Sequence, residues 1–166
     1  MTVIIESLDA LASFVGREYA VSDWIEVTED MVRRFADLTF DHQWIHLDND
    51  RAARETPFGG AIAHGLLTLS LVPAFMQSAQ QIKGVGLIIN EGFDRVRFTS
   101  PVRVGSRLRA RLTLQSFEWR GSDDAEASDV RSRRHAHIKT EVCIEREGSD
   151  KPVCVAEAVV RRYPAR

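Results

Sequence analysis

His64-Gly65-Leu66-Leu67-Thr68-Leu69-Ser70-Leu71-Val72-Pro73-Ala74-Phe75-Met76-Gln77 is the stretch on which the fold turns. It has the length of a helix, and Leu66, Leu67, Leu69, Leu71, Val72, Phe75 and Met76 place apolar side chains nearly all round its axis. A helix without a polar face belongs in the interior of a protein. Pro73 predicts a kink, because its ring removes one hydrogen bond and crowds the preceding turn. The apolar run from Ala61 to Met76 is interrupted by His64, Gly65, Thr68, Ser70 and Pro73. It also falls short of the roughly 20 residues that a membrane span requires.

Working outward, the pattern downstream changes to strands. Segments from Gly84 to Ile89 and from Phe93 to Phe98 read as two short strands, and a longer one runs from about Ser106 to Trp119. A polar loop from Gly121 to Ser132 follows, then strands from His135 to Glu145 and from Val153 to Tyr163. Glu147-Gly148-Ser149-Asp150 reads as the hairpin turn between the last two. Simple pairing across it sets Cys143 opposite Cys154, although one residue of register would part them. His135 and His137, beside Arg133 and Arg134, are expected on a solvated face. Upstream, Trp24 to Val27 is a short strand, and Thr28 then offers an N-cap with Glu29 and Asp30 in the first turn. Met31, Phe35 and Leu38 form the apolar stripe of that helix, which ends near Phe40. Asp48 and Asn49 start a further turn or two of helix, closed before Pro57. One apolar helix thus precedes about five strands, and the economical arrangement is α+β, an antiparallel meander wrapped round that helix.

The 166 residues are expected to form a single domain over 1–166, with an ordinary apolar core. Apolar residues make up 44% and charged residues 28%, at a net charge of −2, so no basic field points to nucleic acid. The opening Met-Thr-Val-Ile-Ile-Glu lacks the basic and apolar regions of a signal peptide, and a cytoplasmic location is the expectation. The two cysteines make neither a disulfide framework nor a metal pattern and are expected as free thiols.

Two stretches carry chemistry: Phe40-Asp41-His42-Gln43-Trp44-Ile45-His46-Leu47-Asp48, and Phe58-Gly59-Gly60-Ala61-Ile62-Ala63-His64-Gly65. Together they resemble the MaoC-like family of (R)-specific enoyl-CoA hydratases, whose hallmarks are Asp-x-Asn/Gln-Pro-(apolar)-His-x-Asp and then Phe-Gly-x-x-(Ile/Val)-(Ala/Val)-His-Gly. Asn90-Glu91-Gly92-Phe93-Asp94-Arg95-Val96-Arg97-Phe98, with Pro101 and Gly105, is similar to a further segment of that family. Trp44 stands where the family usually has Pro, and Phe40 where Gly often precedes the Asp. The resemblance implies a hotdog fold, with the sheet wrapped round a long central helix. It also implies an enzyme that adds water to a trans-2-enoyl-CoA to give a (3R)-hydroxyacyl-CoA, or removes it. No cofactor is implied; coenzyme A is the carrier of the substrate.

Hydration of an enoyl thioester needs a base for water, an acid for the alpha carbon, and donors at the thioester oxygen. His46 suits the base. Asp41 would orient the same water and return the proton, and a carboxyl does this well only when burial raises its proton affinity. The N–H of Gly65, at a helix start, would be the oxyanion donor. Gln43, Ile62, His64, Asn90 and Arg97 complete the set as substrate-binding candidates, with His64 equally able to hold the loop and Asn90 a turn. His42 is expected to be exposed, and a metal cluster of His42, His46, Asp41 and Asp48 is disfavoured because a turn would not align both imidazoles. Arg95, Arg97, Arg103, Arg107, Arg109 and Arg111 could receive the coenzyme A phosphates or form a solvated sheet face. A hotdog thioesterase is the rival enzyme, opposed by the absence of Asp or Glu between His64 and Gln77. A non-catalytic acyl-binding subunit is the other rival, opposed by the presence of both Asp41 and His46. The open edge of such a sheet predicts a homodimer that extends it, or an oligomer built from dimers.

Overall fold

A computed structural model describes residues 1–122 and 130–165. In chain order its elements are β1 (Val3–Ile5), α1 (Leu8–Ala12), β2 (Glu18–Val21), β3 (Ile25–Glu26), α2 (Glu29–Thr39), α3 (Trp44–Leu47) and α4 (Asn49–Glu55). The helices α5 (Gly65–Ser70) and α6 (Val72–Ala79) follow, then β4 (Gln80–Ile82), β5 (Val85–Phe98), β6 (Arg107–Arg120), β7 (His135–Arg146) and β8 (Pro152–Pro164). Of the polar loop expected from Gly121 to Ser132, residues 123–129 lie outside the described residues, and Val130–Ser132 form a 3-10 turn.

A six-stranded sheet in the order β2-β6-β7-β8-β5, with β3 also on β6, curves round α5 and α6. Alternate residues of the long strands face inward, as period-two patterning requires. Leu108, Ala110, Leu112 and Leu114 of β6, Val142 and Ile144 of β7, and Cys154 and Ala156 of β8 are all fully buried. They enclose Phe75 of α6, also fully buried, with Leu67, Val72 and Ala79 beside it. Burial of each large side chain of this kind contributes about 1.5–3 kcal/mol. β6, β7 and β8 form the expected meander, but β5 pairs with β8 and occupies the outer edge. The two short strands read from Gly84 to Phe98 are one strand, whose irregularities between Asn90 and Gly92 and between Phe93 and Val96 absorb the break in pattern.

The central helix is two helices. Leu71 donates its N–H to Thr68 and Leu69, so the Leu69 carbonyl, which an unbroken helix would offer to residue 73, meets another donor. Pro73 then falls in the first turn of α6, where a missing donor costs nothing. The pair is also not buried all round: Leu66 is 61% exposed, because the sheet covers only one side.

Thr28 caps α2 as read, accepting from the Met31 N–H. The face of α2 that is fully buried is Val32 and Ala36, with Met31 and Phe35 at its margin and Leu38 exposed. The stripe of Met31, Phe35 and Leu38 was therefore centred off the true contact line. The N-terminal β1, α1 and β2 carry no strong periodic signal but contribute Leu8, Leu11, Tyr19 and Ala20 to the core.

Two further expectations are corrected. The β7–β8 hairpin begins in the simple register, Glu145 opposite Pro152, but a bulge next to Ile144 adds one residue. Cys143 then faces Val155 while Cys154 faces Ile144, and only Cys154 points into the core. His135 is not solvated: it is buried under the Tyr163 ring, with Nδ1 on the Arg133 carbonyl. His137 is half-buried, 3.4 Å from Glu91, which also holds Arg161.

Candidate active site

The site begins where α2 ends. Phe40 closes that helix in the left-handed conformation, with φ 59° and ψ 21°. This geometry is the usual helix stop and favours glycine, which explains the Gly that often stands here in the family the sequence resembles. It turns the chain so that Asp41 enters the loop before α3. Trp44 is the first residue of α3, a position where proline fits because its N–H would be unpaired anyway. Trp44 keeps the helix without the proline, its ring covered by the Arg51 guanidinium at 4.1 Å. Asp48 caps α4 through the Arg51 N–H.

One turn into α3, His46 is buried, and its Nδ1 lies 2.7 Å from the Ile62 carbonyl. A carbonyl only accepts, so Nδ1 carries the proton and Nε2 the lone pair. Ile62 is fixed in turn by its N–H on the Ile45 carbonyl and by a bridge to Arg103. Burial, with the neighbouring His64 adding to it, pushes the proton affinity of His46 below the usual histidine value, against the opposing pull of Ile62 and Asp41. His64 stacks on His46 with ring centroids 3.7 Å apart. Its Nε2 donates to the Asp41 carbonyl at 2.9 Å and lies 4.0 Å from a carboxylate oxygen of the same residue. Nδ1 of His64 is buried without a partner.

Asp41, His46 and His64 therefore converge, with one ligand-type atom from each lying within 4.8 Å of the others. This is not the His42, His46, Asp41 and Asp48 grouping weighed from the sequence, even though His46 does sit on a helix. With Nδ1 of His46 on Ile62 and Nε2 of His64 on Asp41, two of the imidazole nitrogens are already engaged by backbone. His42 is half-exposed and lies 2.9 Å from Asp37. The Asp41 side chain is 55% exposed, so the chain by itself does not supply the burial that an acid role asks for. Its Oδ1 accepts from the Gln43 N–H at 3.4 Å, and the Gln43 side chain is exposed.

Beside His46 opens a cavity of about 320 Å³ lined by Ile62, Gly65, Thr68, Phe98, Val102 and Val153, among others. Gly65 is the first residue of α5, so its N–H has no partner within the helix. A Cβ there would stand 3.0 Å from the Phe98 ring, so any larger residue would have to push that ring aside. Gly60 is similarly confined: a Cβ would lie 2.8 Å from Asn49 Oδ1 and 3.1 Å from the Arg103 guanidinium. The sequence did not single out Phe98, Thr68 or Val153. Thr68 did leave a signal, as a polar side chain four residues after His64 in a mostly apolar stretch, and it is 2% exposed.

Asn90 and Arg97 are not brought to this cavity. Asn90 accepts from the Gly92 N–H at 3.1 Å and lines a separate cavity, and Arg97 is exposed on β5 with its guanidinium on the Val96 carbonyl. Arg107, Arg109 and Arg111 do share one face, but Glu147, Glu145 and Glu18 pair with them there, and Arg95 lies 3.7 Å from Glu157. Among the described residues Arg103 has no carboxylate partner and rests on Gly59 and Gly60.

Residues 11–133 match the model of the MaoC like domain, and the chain belongs to that family of hydratases and dehydratases. It is 44% identical over 156 residues to 3-hydroxyacyl-thioester dehydratase Z of Mycobacterium tuberculosis, covering 94% of this chain and 95% of that one. It is likewise 44% identical over 153 residues to Nodulation protein N of Rhizobium meliloti, covering 90% and 87%. Among solved structures, the (R)-hydratase of A. caviae involved in PHA biosynthesis superposes with a TM-score of 0.64 at 25% identity, covering 86% of this chain and 93% of that one. The chain shares the hotdog fold with its structural neighbours. Among the described residues no helix is long and apolar enough to cross a membrane.

Proposed function

We propose that this protein is a hydro-lyase of acyl-CoA, working as a single domain, which adds water to trans-2-enoyl-CoA to give (3R)-hydroxyacyl-CoA or catalyses the reverse. The observation that carries the reading is His46: buried, fixed through Nδ1 on Ile62, and left with a basic Nε2 beside Asp41 at a cavity that begins α5. In hydration, Nε2 takes a proton from water as its oxygen bonds the beta carbon. The electron pair moves through the alpha carbon to the thioester oxygen, where the Gly65 N–H meets the developing charge. The Asp41 carboxylate holds the same water and relays to the alpha carbon the proton that His46 took, so both side chains end the cycle as they began. A bound acyl thioester lying over the loop would shield the carboxylate from solvent. His64 orients Asp41 through its backbone carbonyl, Ile62 orients His46, and Gln43 steadies the carboxylate through its N–H. No cofactor enters, because water is the second substrate and nothing is oxidised. The (3R) outcome follows the family resemblance and the name of the (R)-hydratase of A. caviae, and the CoA carrier follows the resemblance alone. Arg97 and Arg103 are the arginines of the expected cluster best placed to receive phosphate, because the others are paired with carboxylates.

The homodimer and a cytoplasmic location belong to the same proposal. Consumption of enoyl-CoA absorbance across acyl chain lengths, with chiral analysis of the product, tests the reaction. Formation of the (3R) alcohol supports it, whereas release of free CoA without hydration would instead assign a thioesterase.

A further inference from the structure

A second cavity, of about 310 Å³, lies between α6 and the strands β5 and β8. Its walls are mostly apolar, with Val72, Met76, Ile88, Phe93, Ala158 and Val160, and Gln77 and Asn90 also reach it. Two polar side chains in its lining are unexplained. Arg162 ends the inward-facing row of β8 and is only 7% exposed, and its Nε has no hydrogen-bond partner. The titratable group that faces it is Tyr19, whose phenol burial keeps protonated, so among the described residues nothing balances the guanidinium charge. Gln80 is also 7% exposed; its amide lies within reach of the Tyr19 hydroxyl but makes no well-formed hydrogen bond.

A buried cation without a counter-ion is costly, and proteins keep one where a compensating group arrives. The guanidinium fork offers donors only, and the Gln80 amide adds an NH2 group beside it. Their complement is a carboxylate, which an arginine receives with two parallel bonds. The apolar walls complement a hydrocarbon chain attached to it. This cavity and the one beside His46 lie along the same helix pair and the same strand: Thr68 and Val153 line the first, Val72 and Ala158 the second.

We propose that this cavity binds the far end of an acyl group that terminates in a carboxylate, so that the substrate class is a half-acid enoyl thioester, with Arg162 and Gln80 setting the specificity. This rests on the acyl-thioester reading above. The direct test compares kcat/KM for two enoyl-CoA substrates of equal length, one ending in methyl and one in carboxylate. Wild type should favour the carboxylate by about 10-fold or more, the worth of a charge-assisted hydrogen bond. Arg162→Met should abolish that ratio, and Gln80→Leu should reduce it. Because Arg162→Met removes an unpaired buried charge, its melting temperature should not fall, which keeps the comparison free of misfolding. A wild-type preference for the methyl end, or a ratio unchanged in Arg162→Met, overturns the subsite. Calorimetry with sebacate, a dicarboxylate without a thioester, separates the two readings. Sebacate binding that Arg162→Met abolishes, in a protein turning over neither thioester, would keep the subsite and overturn the reaction. Turnover without sebacate binding or a carboxylate preference would do the opposite.

Discussion

Phe40 pays for the turn that delivers Asp41. Among the described residues it is the only non-glycine with positive φ, and its ring is 86% exposed, so packing does little to offset the strain. A left-handed residue with a Cβ costs roughly 1–2 kcal/mol, and glycine returns part of that through its freer unfolded chain. Phe40→Gly should therefore raise stability by about 0.5–1 kcal/mol, read as a higher urea midpoint at unchanged slope. The sequence marked this position as unusual, but only the backbone explains why glycine suits it. His46 carries a second prediction. Its folded-state proton affinity is lowered, chiefly by burial, so below the ordinary histidine value near 6.5 the unfolded chain binds more protons than the folded one. Stability should then be lost as pH falls through about 6.5 toward the lower folded value. The stability advantage of wild type over His46→Gln should shrink over that window, and an advantage that grew on acidification would contradict the account.

At the scale of elements, what could be read was what periodicity encodes. The strand segments from Gly84 onward, the cap at Thr28 and the start of α4 at Asp48 were visible because side-chain pattern and capping chemistry are local. The break at Leu71, the joining of β5 and the placement of β5 beside β8 were not, because they depend on which backbone partner wins after collapse. The short β1, α1 and β2 were missed for the same reason: their burial is tertiary. The hairpin shows how small the deciding feature can be. One bulge residue sends the two cysteines to opposite faces, so mild oxidation of the native protein should form no internal disulfide. Thiol titration after unfolding should recover both, and their loss as a pair would restore the simple register. Burial pushes the Cys154 thiol up to about 11, so it should also react far more slowly than Cys143 in the native state.

For the whole molecule, the exposed surfaces are informative. Among the described residues β5 is a 14-residue edge strand with one side unpaired, and its Leu87, Ile88 and Phe98 are exposed. Long open edges invite pairing with another chain. Light scattering at micromolar concentration should give about twice the 18.7 kDa chain mass, or a multiple of that, and a fully active monomer would contradict this assembly. The motif pair found in the sequence does meet in space, through contacts that no spacing rule contains: His64 on the Asp41 carbonyl, and His46 on Ile62. The central claim is that Asp41 and His46 carry out the proton transfers. Its most direct measurement is single-substrate hydratase turnover of Asp41→Asn and His46→Gln, with folding verified by circular dichroism. Each variant should lose about 10²-fold or more in kcat, the lower range of general acid–base effects. Near-normal kcat in either folded variant would contradict the assignment.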